Sequence, residues 1–117
     1  MPTTVLIVDD HPSFRSSARM LLEADGYDVV GEAPDGRSAI AAARELDPDV
    51  ILLDIQLPDI DGFEVSARLA AHGDPPAVVM TSSRDAADYG SLSTDSCARG
   101  FIAKSELSRA ALEDVLR

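Results

Sequence analysis

Apolar residues along this chain fall into two rhythms. Unbroken runs at residues 5–8, 50–53 and 77–80 are each closed on their C-terminal side by polar residues. Runs of that length suit strands buried on both faces. Residues 28–33, centred on Val29 and Val30, and residues 101–103, closed by Lys104, read as two further strands. Between the strands the spacing becomes helical. Phe14, Ala18, Leu21 and Leu22 recur at helical intervals after Pro12, and Gly26 ends that helix. Asp35-Gly36 makes a turn into a second helix, marked by Ala39, Ile40 and Ala43 and closed by Pro48. Residues 62–71 read as a third helix with Val65 and Leu69 inward, ended by Gly73 and Pro75-Pro76. Residues 86–98 make a weaker fourth, because Gly90, Ser91, Ser93, Thr94, Asp95 and Ser96 are poor helix formers. From about Leu107, a fifth carries Ala111, Leu112, Val115 and Leu116 on one face.

Strand and helix therefore alternate five times. That alternation predicts an α/β domain over residues 1–117, with a parallel sheet, helices on both faces and right-handed crossovers. Five strands and five helices fit the flavodoxin-like order 2-1-3-4-5. In such sheets ligands bind beyond the carboxyl ends of the strands, where the order reverses. Here that point lies between the first and third strands.

Composition narrows the function. Hydrophobic residues make up 45% of the chain, enough for a real core, and the net charge is −11. That charge argues against direct nucleic-acid binding by this domain. Cys97 is the only cysteine, which excludes an internal disulfide and a CxxC zinc site, and it reads as a small packing residue. His11 and His72 are too few for a zinc cluster and read as exposed residues at a helix start and a helix end. No apolar stretch reaches membrane-span length and no secretory h-region follows Met1. A cytoplasmic protein with no membrane association is expected.

Asp9 and Asp10 close the first strand, and Asp54 closes the third. A strand-end carboxylate can simply cap the next turn. The topology, however, brings all three to one place, where they repel. A divalent cation resolves the conflict, and an oxygen-only donor set favours Mg²⁺ or a similar hard ion. The reading assigns Asp10 and Asp54 as direct ligands and Asp9 as a ligand through water. The main-chain carbonyl of Gln56 is a candidate third protein ligand. Asp54 can then act as a nucleophile toward phosphorus. Lys104 closes the fifth strand and offers a cation; Thr81 closes the fourth and offers a hydroxyl. Taken singly, the lysine reads as solvated and the threonine as a turn cap. Their shared position at strand ends joins them to the carboxylates.

The chain resembles the receiver domain of bacterial two-component response regulators over essentially its whole length. The matching pieces are Val-Asp-Asp at 8–10, Leu-Leu-Asp-Ile-Gln-Leu-Pro-Asp-Ile-Asp-Gly at 52–62, Thr81 after an apolar strand, and Phe-Ile-Ala-Lys at 101–104. Asp-His-Pro-Ser-Phe-Arg at 10–15, with Gly31-Glu32-Ala33, most resembles the subfamily with a C-terminal helix-turn-helix output domain. The resemblance implies phosphoryl transfer to Asp54 from a phosphohistidine of a sensor histidine kinase or phosphotransfer protein. It implies Mg²⁺ at Asp9, Asp10 and Asp54. It implies that Thr81 and Phe101 couple phosphorylation to the face of the fourth helix, fifth strand and fifth helix. A homodimer is expected through that face, or through the first and fifth helices. The resemblance also implies an output of transcription regulation through a DNA-binding domain absent from this chain. The resemblance implies a receiver domain that is not a conventional enzyme but catalyses its own phosphorylation and dephosphorylation at Asp54. Where the family often has Lys-Pro, the chain has Lys104-Ser105, and a trans peptide is expected.

Two other classes compete. A pseudo-receiver would be an interaction module that never accepts phosphate; the intact set Asp9, Asp10, Asp54, Thr81 and Lys104 weighs against it. A flavodoxin-like cofactor binder or small phosphatase is disfavoured by the absence of GxGxxG and GxxxxGK[ST] motifs.

Overall fold

The computed structural model describes residues 2–71, 76–82 and 100–116. Strands β1 (Thr4–Val8), β2 (Asp28–Ala33), β3 (Val50–Asp54), β4 (Ala77–Ser82) and β5 (Gly100–Ala103) form one sheet in the order β2-β1-β3-β4-β5. Every neighbouring pair is parallel. Helices α1 (Pro12–Ala24), α2 (Gly36–Leu46), α3 (Gly62–Ala70) and α4 (Arg109–Leu116) connect or follow them. The expected sheet order is the observed one. Four of the five expected helices lie among the described residues. The expected helix at 86–98 lies outside them, as do His72 and Cys97.

Side-chain alternation builds a core on each face of the sheet. Leu6, Val8, Ile51 and Leu53 point to one side, where Ala39, Ile40 and Ala43 of α2 and Val65 and Leu69 of α3 cover them. Val5, Ile7, Val50 and Leu52 point to the other, against Ala18 and Leu22 of α1 and Leu112 of α4. All five residues of β3 are buried. The strand therefore carries its terminal carboxylate, Asp54, into an interior edge instead of into water.

Local chemistry sets the helix ends. Pro12 occupies the start of α1, and Gly26, at φ +91°, turns the chain into β2 in a region that favours glycine. Asp35 caps α2 by accepting the Ser38 N–H at 2.8 Å, and Asp61 caps α3 by accepting the Glu64 N–H at 2.8 Å. The loop between β3 and α3 is clasped at both ends. Asp59 Oδ1 accepts the Gly36 N–H at 2.8 Å and its Oδ2 accepts the Arg37 N–H at 3.0 Å, which ties the loop to the start of α2. The Gly62 N–H donates to the Ile55 carbonyl at 2.7 Å, folding α3 directly under the end of β3.

Element boundaries differ from the apolar runs by one or two residues. β3 continues through Asp54 and β4 through Ser82, because ladder pairing does not depend on whether a side chain is apolar: Asp54 is in register with Thr81. The third helix ends at Ala70 instead of residue 71. Lys104 opens a short 3₁₀ turn, Lys104–Glu106, so α4 begins at Arg109 instead of near Leu107. The Lys104–Ser105 peptide is trans, as expected. Among the described residues no helix is long and apolar enough to cross a membrane.

Candidate functional site

β1 and β3 lie side by side at the centre of the sheet, and the chain leaves them toward opposite edges. A crevice at their carboxyl ends follows from that reversal. Asp9 directly follows β1 and its side chain is wholly buried. Its backbone is held on both sides: the N–H donates to the Ala33 carbonyl at 3.0 Å, and the carbonyl accepts from Arg15 Nη1 at 2.6 Å. Its Oδ1 accepts the His11 main-chain N–H at 2.8 Å. Asp10, next in the chain, is exposed. Asp54 ends β3 at 3% exposure, and its Oδ1 accepts the Gln56 N–H at 3.1 Å.

Lys104 joins these groups. β5 is separated from β3 by β4, about 10 Å at two strand spacings, and a long side chain is needed to cross it. Lys104 Nζ lies 2.6 Å from Asp9 Oδ2 and 3.4 Å from Asp54 Oδ2. The contact with Asp9 is an ion pair, and among the described residues that oxygen accepts no hydrogen bond of regular geometry. The ammonium also sits 4.8 Å from the centroid of the Phe14 ring, a cation–π distance that steadies it from the α1 side. Thr81, opposite Asp54 in the ladder, is fully buried, and among the described residues its Oγ1 has no hydrogen-bond partner.

The charges do not balance. Burial pushes the Asp54 carboxyl above the ordinary range. The Gln56 N–H and Lys104 pull it back, while the neighbouring Asp9 adds to the rise. One ammonium thus serves two buried carboxylates, with Asp10 at the rim. One ligand atom from each of Asp9, Asp10, His11 and Asp54 lies within 4.8 Å of the others. An oxygen-rich donor set with surplus negative charge, including a buried Asp9 oxygen that accepts no hydrogen bond, fits a divalent cation.

The structure thus brings Asp9, Asp10, Asp54 and Lys104 together and sets Thr81 beside Asp54 in the ladder. Gln56 is exposed, with its N–H turned to Asp54. Phe101 lies farther off on β5, partly buried and packed against the α2–α3 side of the core. His11 is an exposed helix-start residue as expected, and in addition its Nδ1 lies 3.1 Å from Asp9 Oδ1 and 3.0 Å from Asp10 Oδ1. Its place directly after the two aspartates was the available signal. Arg15, which fixes the Asp9 carbonyl, and Asp59, which clasps α2, carried no signal in the apolar pattern.

Comparison with known proteins accords with this geometry. The sequence profile of the response regulator receiver domain matches residues 5–117. The virulence-factor transcription regulator BvgA of Bordetella pertussis is 39% identical over 106 residues, spanning 91% of this chain and 51% of that protein. The nitrate/nitrite response regulator NarP of Escherichia coli K12 is 38% identical over 115 residues, spanning 97% of this chain and 54% of that protein. The chain thus spans about half the length of the curated relatives it matches. Among solved structures, the signal receiver domain of NarL from Mycobacterium tuberculosis superposes with a TM-score of 0.86 at 32% identity, covering 98% of this chain and 97% of that one. The response regulator domain of Thermotoga maritima CheB gives 0.86 at 27% identity, covering 99% and 95%. With that profile running from β1 to the last residue over the observed sheet order, the chain belongs to the response regulator receiver domain family.

Proposed function

We propose that residues 1–117 form a phosphorylation-controlled switch in which Asp54 accepts a phosphoryl group from a phosphohistidine of a sensor histidine kinase or phosphotransfer protein. The observation that carries this reading is the position of Lys104, whose ammonium is shared by Asp9 and Asp54. In the transfer, an Asp54 carboxylate oxygen forms the new O–P bond. The donor's P–N bond breaks, and its electron pair stays on the departing imidazole. Lys104 turns from the carboxylates to the incoming phosphoryl oxygens, and the Thr81 hydroxyl, without a partner among the described residues, donates to one of them. Asp10 and Asp54 would hold Mg²⁺ directly, Asp9 through water, and the Gln56 carbonyl as the third protein ligand. When bound, Mg²⁺ neutralises the carboxylate and phosphoryl oxygens that would otherwise repel.

Movement of Thr81 toward the phosphoryl group gives Phe101 room to turn inward, which alters the surface of β5 and α4. That surface, or the one formed by α1 and α4, is the proposed homodimer contact. Transcription regulation through a DNA-binding domain elsewhere in a longer protein is the proposed output, and the cytoplasm its location. The test is uptake of labelled phosphate from acetyl phosphate. The parent should incorporate close to one equivalent in Mg²⁺ and none in chelator, and Asp54→Asn should incorporate none. Stoichiometric uptake by Asp54→Asn would remove the nucleophile assignment. No uptake by the parent under any condition would favour the pseudo-receiver reading.

A further inference from the structure

The His11 ring stands where the carboxylates of Asp9 and Asp10 converge, with Nδ1 within hydrogen-bond distance of both. Nδ1 carries at most one hydrogen, yet it lies 3.1 Å from Asp9 Oδ1 and 3.0 Å from Asp10 Oδ1. Asp9 Oδ1 is already served by the His11 main-chain N–H at 2.8 Å. Nδ1 thus has at most one hydrogen for two carboxylate oxygens, one of which the main-chain N–H already serves. Neighbouring donors of an octahedral ion at 2.1 Å lie about 3.0 Å apart. The distance from Nδ1 to Asp10 Oδ1, the oxygen assigned above as a direct ligand, matches that separation, while Asp9 reaches the ion through water.

A second indication lies deeper in the site. Asp9 is fully buried, and its other oxygen, Oδ2, has the Lys104 ammonium at 2.6 Å but accepts no hydrogen bond of regular geometry among the described residues. The segment is also held in place from both ends. Arg15 and Ala33 fix the Asp9 backbone, and His11 enters α1 in an extended conformation ahead of Pro12. The ring itself is 64% exposed, so an arriving ion meets it first.

We propose that His11 Nδ1 is a metal donor that shifts the selectivity of this site from Mg²⁺ toward first-row transition ions. The proposal rests on reading the acidic cluster as a metal site. Carboxylates alone suit Mg²⁺, Ca²⁺ and Mn²⁺, whereas imidazole suits Fe²⁺, Ni²⁺, Cu²⁺ and Zn²⁺. One imidazole among three carboxylates leaves Mg²⁺ binding possible while favouring ions that accept nitrogen. His11 thereby acts as a specificity-determining residue for the ion.

The experiment uses the whole chain stripped of metal, as parent and as His11→Asn, a variant of an exposed residue. Mn²⁺ is bound first, and nitrogen modulation of its electron-spin echo reports a coordinated imidazole. The parent should show that modulation and His11→Asn should lose it. Calorimetry then compares Ni²⁺ with Mg²⁺. The ratio of their affinities should fall by roughly tenfold or more in His11→Asn, at least what losing an outer-sphere partner costs. Mn²⁺ bound to the parent without imidazole coupling overturns the proposal and leaves an all-oxygen site. Coupling that persists in His11→Asn also overturns it, because His72 is the only other histidine. So does equal tightening of every ion in the variant, which would mark the ring as a displaced counter-ion. If the parent binds no divalent ion, the metal-site reading itself fails, a result distinct from all of these.

Discussion

A single methyl group added at Gly62 probes how tightly the end of β3 is seated. Gly62 opens α3 immediately beneath that strand. A Cβ there would lie 2.5 Å from the Asp54 carbonyl oxygen, 2.8 Å from Ile55 Cα and 3.2 Å from the Asp54 carbonyl carbon. All three are backbone atoms, so no side chain can swing away. An unstrained carbon-to-oxygen contact needs about 3.3 Å, which means a shift of about 0.8 Å. Overpacking of this kind costs about 1–3 kcal/mol. Alanine returns at most about 1 kcal/mol through helix propensity, and less in the first turn. A net loss of about 1.5 kcal/mol for Gly62→Ala would lower Tm by roughly 6 °C in a domain of this size. The same shift moves the segment that carries Asp54, and a misplacement near 1 Å can slow a positioned reaction by roughly a hundredfold. Thermal melts without metal should show the first effect, and initial rates of label uptake from acetyl phosphate the second. An unchanged or raised Tm refutes the packing calculation. A lowered Tm with the parent's uptake rate keeps the packing and breaks its connection to the site.

Two further predictions concern carboxylates with opposite shifts. The Gly36 N–H, followed by those of Arg37 and Ile60, holds the Asp59 carboxyl below its usual range. Its charge therefore stabilises the fold above the unfolded pKa, and that stability is lost as pH falls through the folded value. Asp59→Ala should have a lower urea midpoint than the parent at pH 7 and converge with it in acid; a gap that persists in acid would place the loss elsewhere. Asp54 is shifted the other way, chiefly by burial. Its protonated form favours the fold, so that contribution is present below the unfolded pKa and disappears as pH rises through the folded value. Asp54→Asn, free of chelatable metal, should resist urea better than the parent at pH 7, with the advantage shrinking as pH falls. A variant no more stable than the parent at pH 7 would mean Lys104 already compensates the buried charge.

The parts of the fold that were legible in the sequence were local. Runs such as Val5 to Val8 and Val50 to Leu53 are apolar on both faces, a property only an interior parallel strand needs. Ladder pairing, by contrast, is blind to polarity, so the apolar run stopped one residue short of the true end of β3. The site was legible as a set of strand-end positions, because the alternation of elements dictates which ends adjoin. Its connections were not. Nothing in the spacing of Lys104 shows that its ammonium sits closer to Asp9 than to Asp54.

Sequence by itself determined the parallel sheet, its strand order and the gathering of Asp9, Asp10, Asp54, Thr81 and Lys104 at one edge. The sheet follows from hydrophobic period, and the order and the gathering from the flavodoxin-like arrangement that five alternating strands fit. Only the tertiary structure decided how the charges are shared. The ion pair of Lys104 with Asp9, the seat of His11 between two carboxylates and the hold of Asp59 on α2 depend on ångström-scale distances between segments. Electrostatic and hydrogen-bond energies change steeply over those distances, while the pattern along the chain does not change at all.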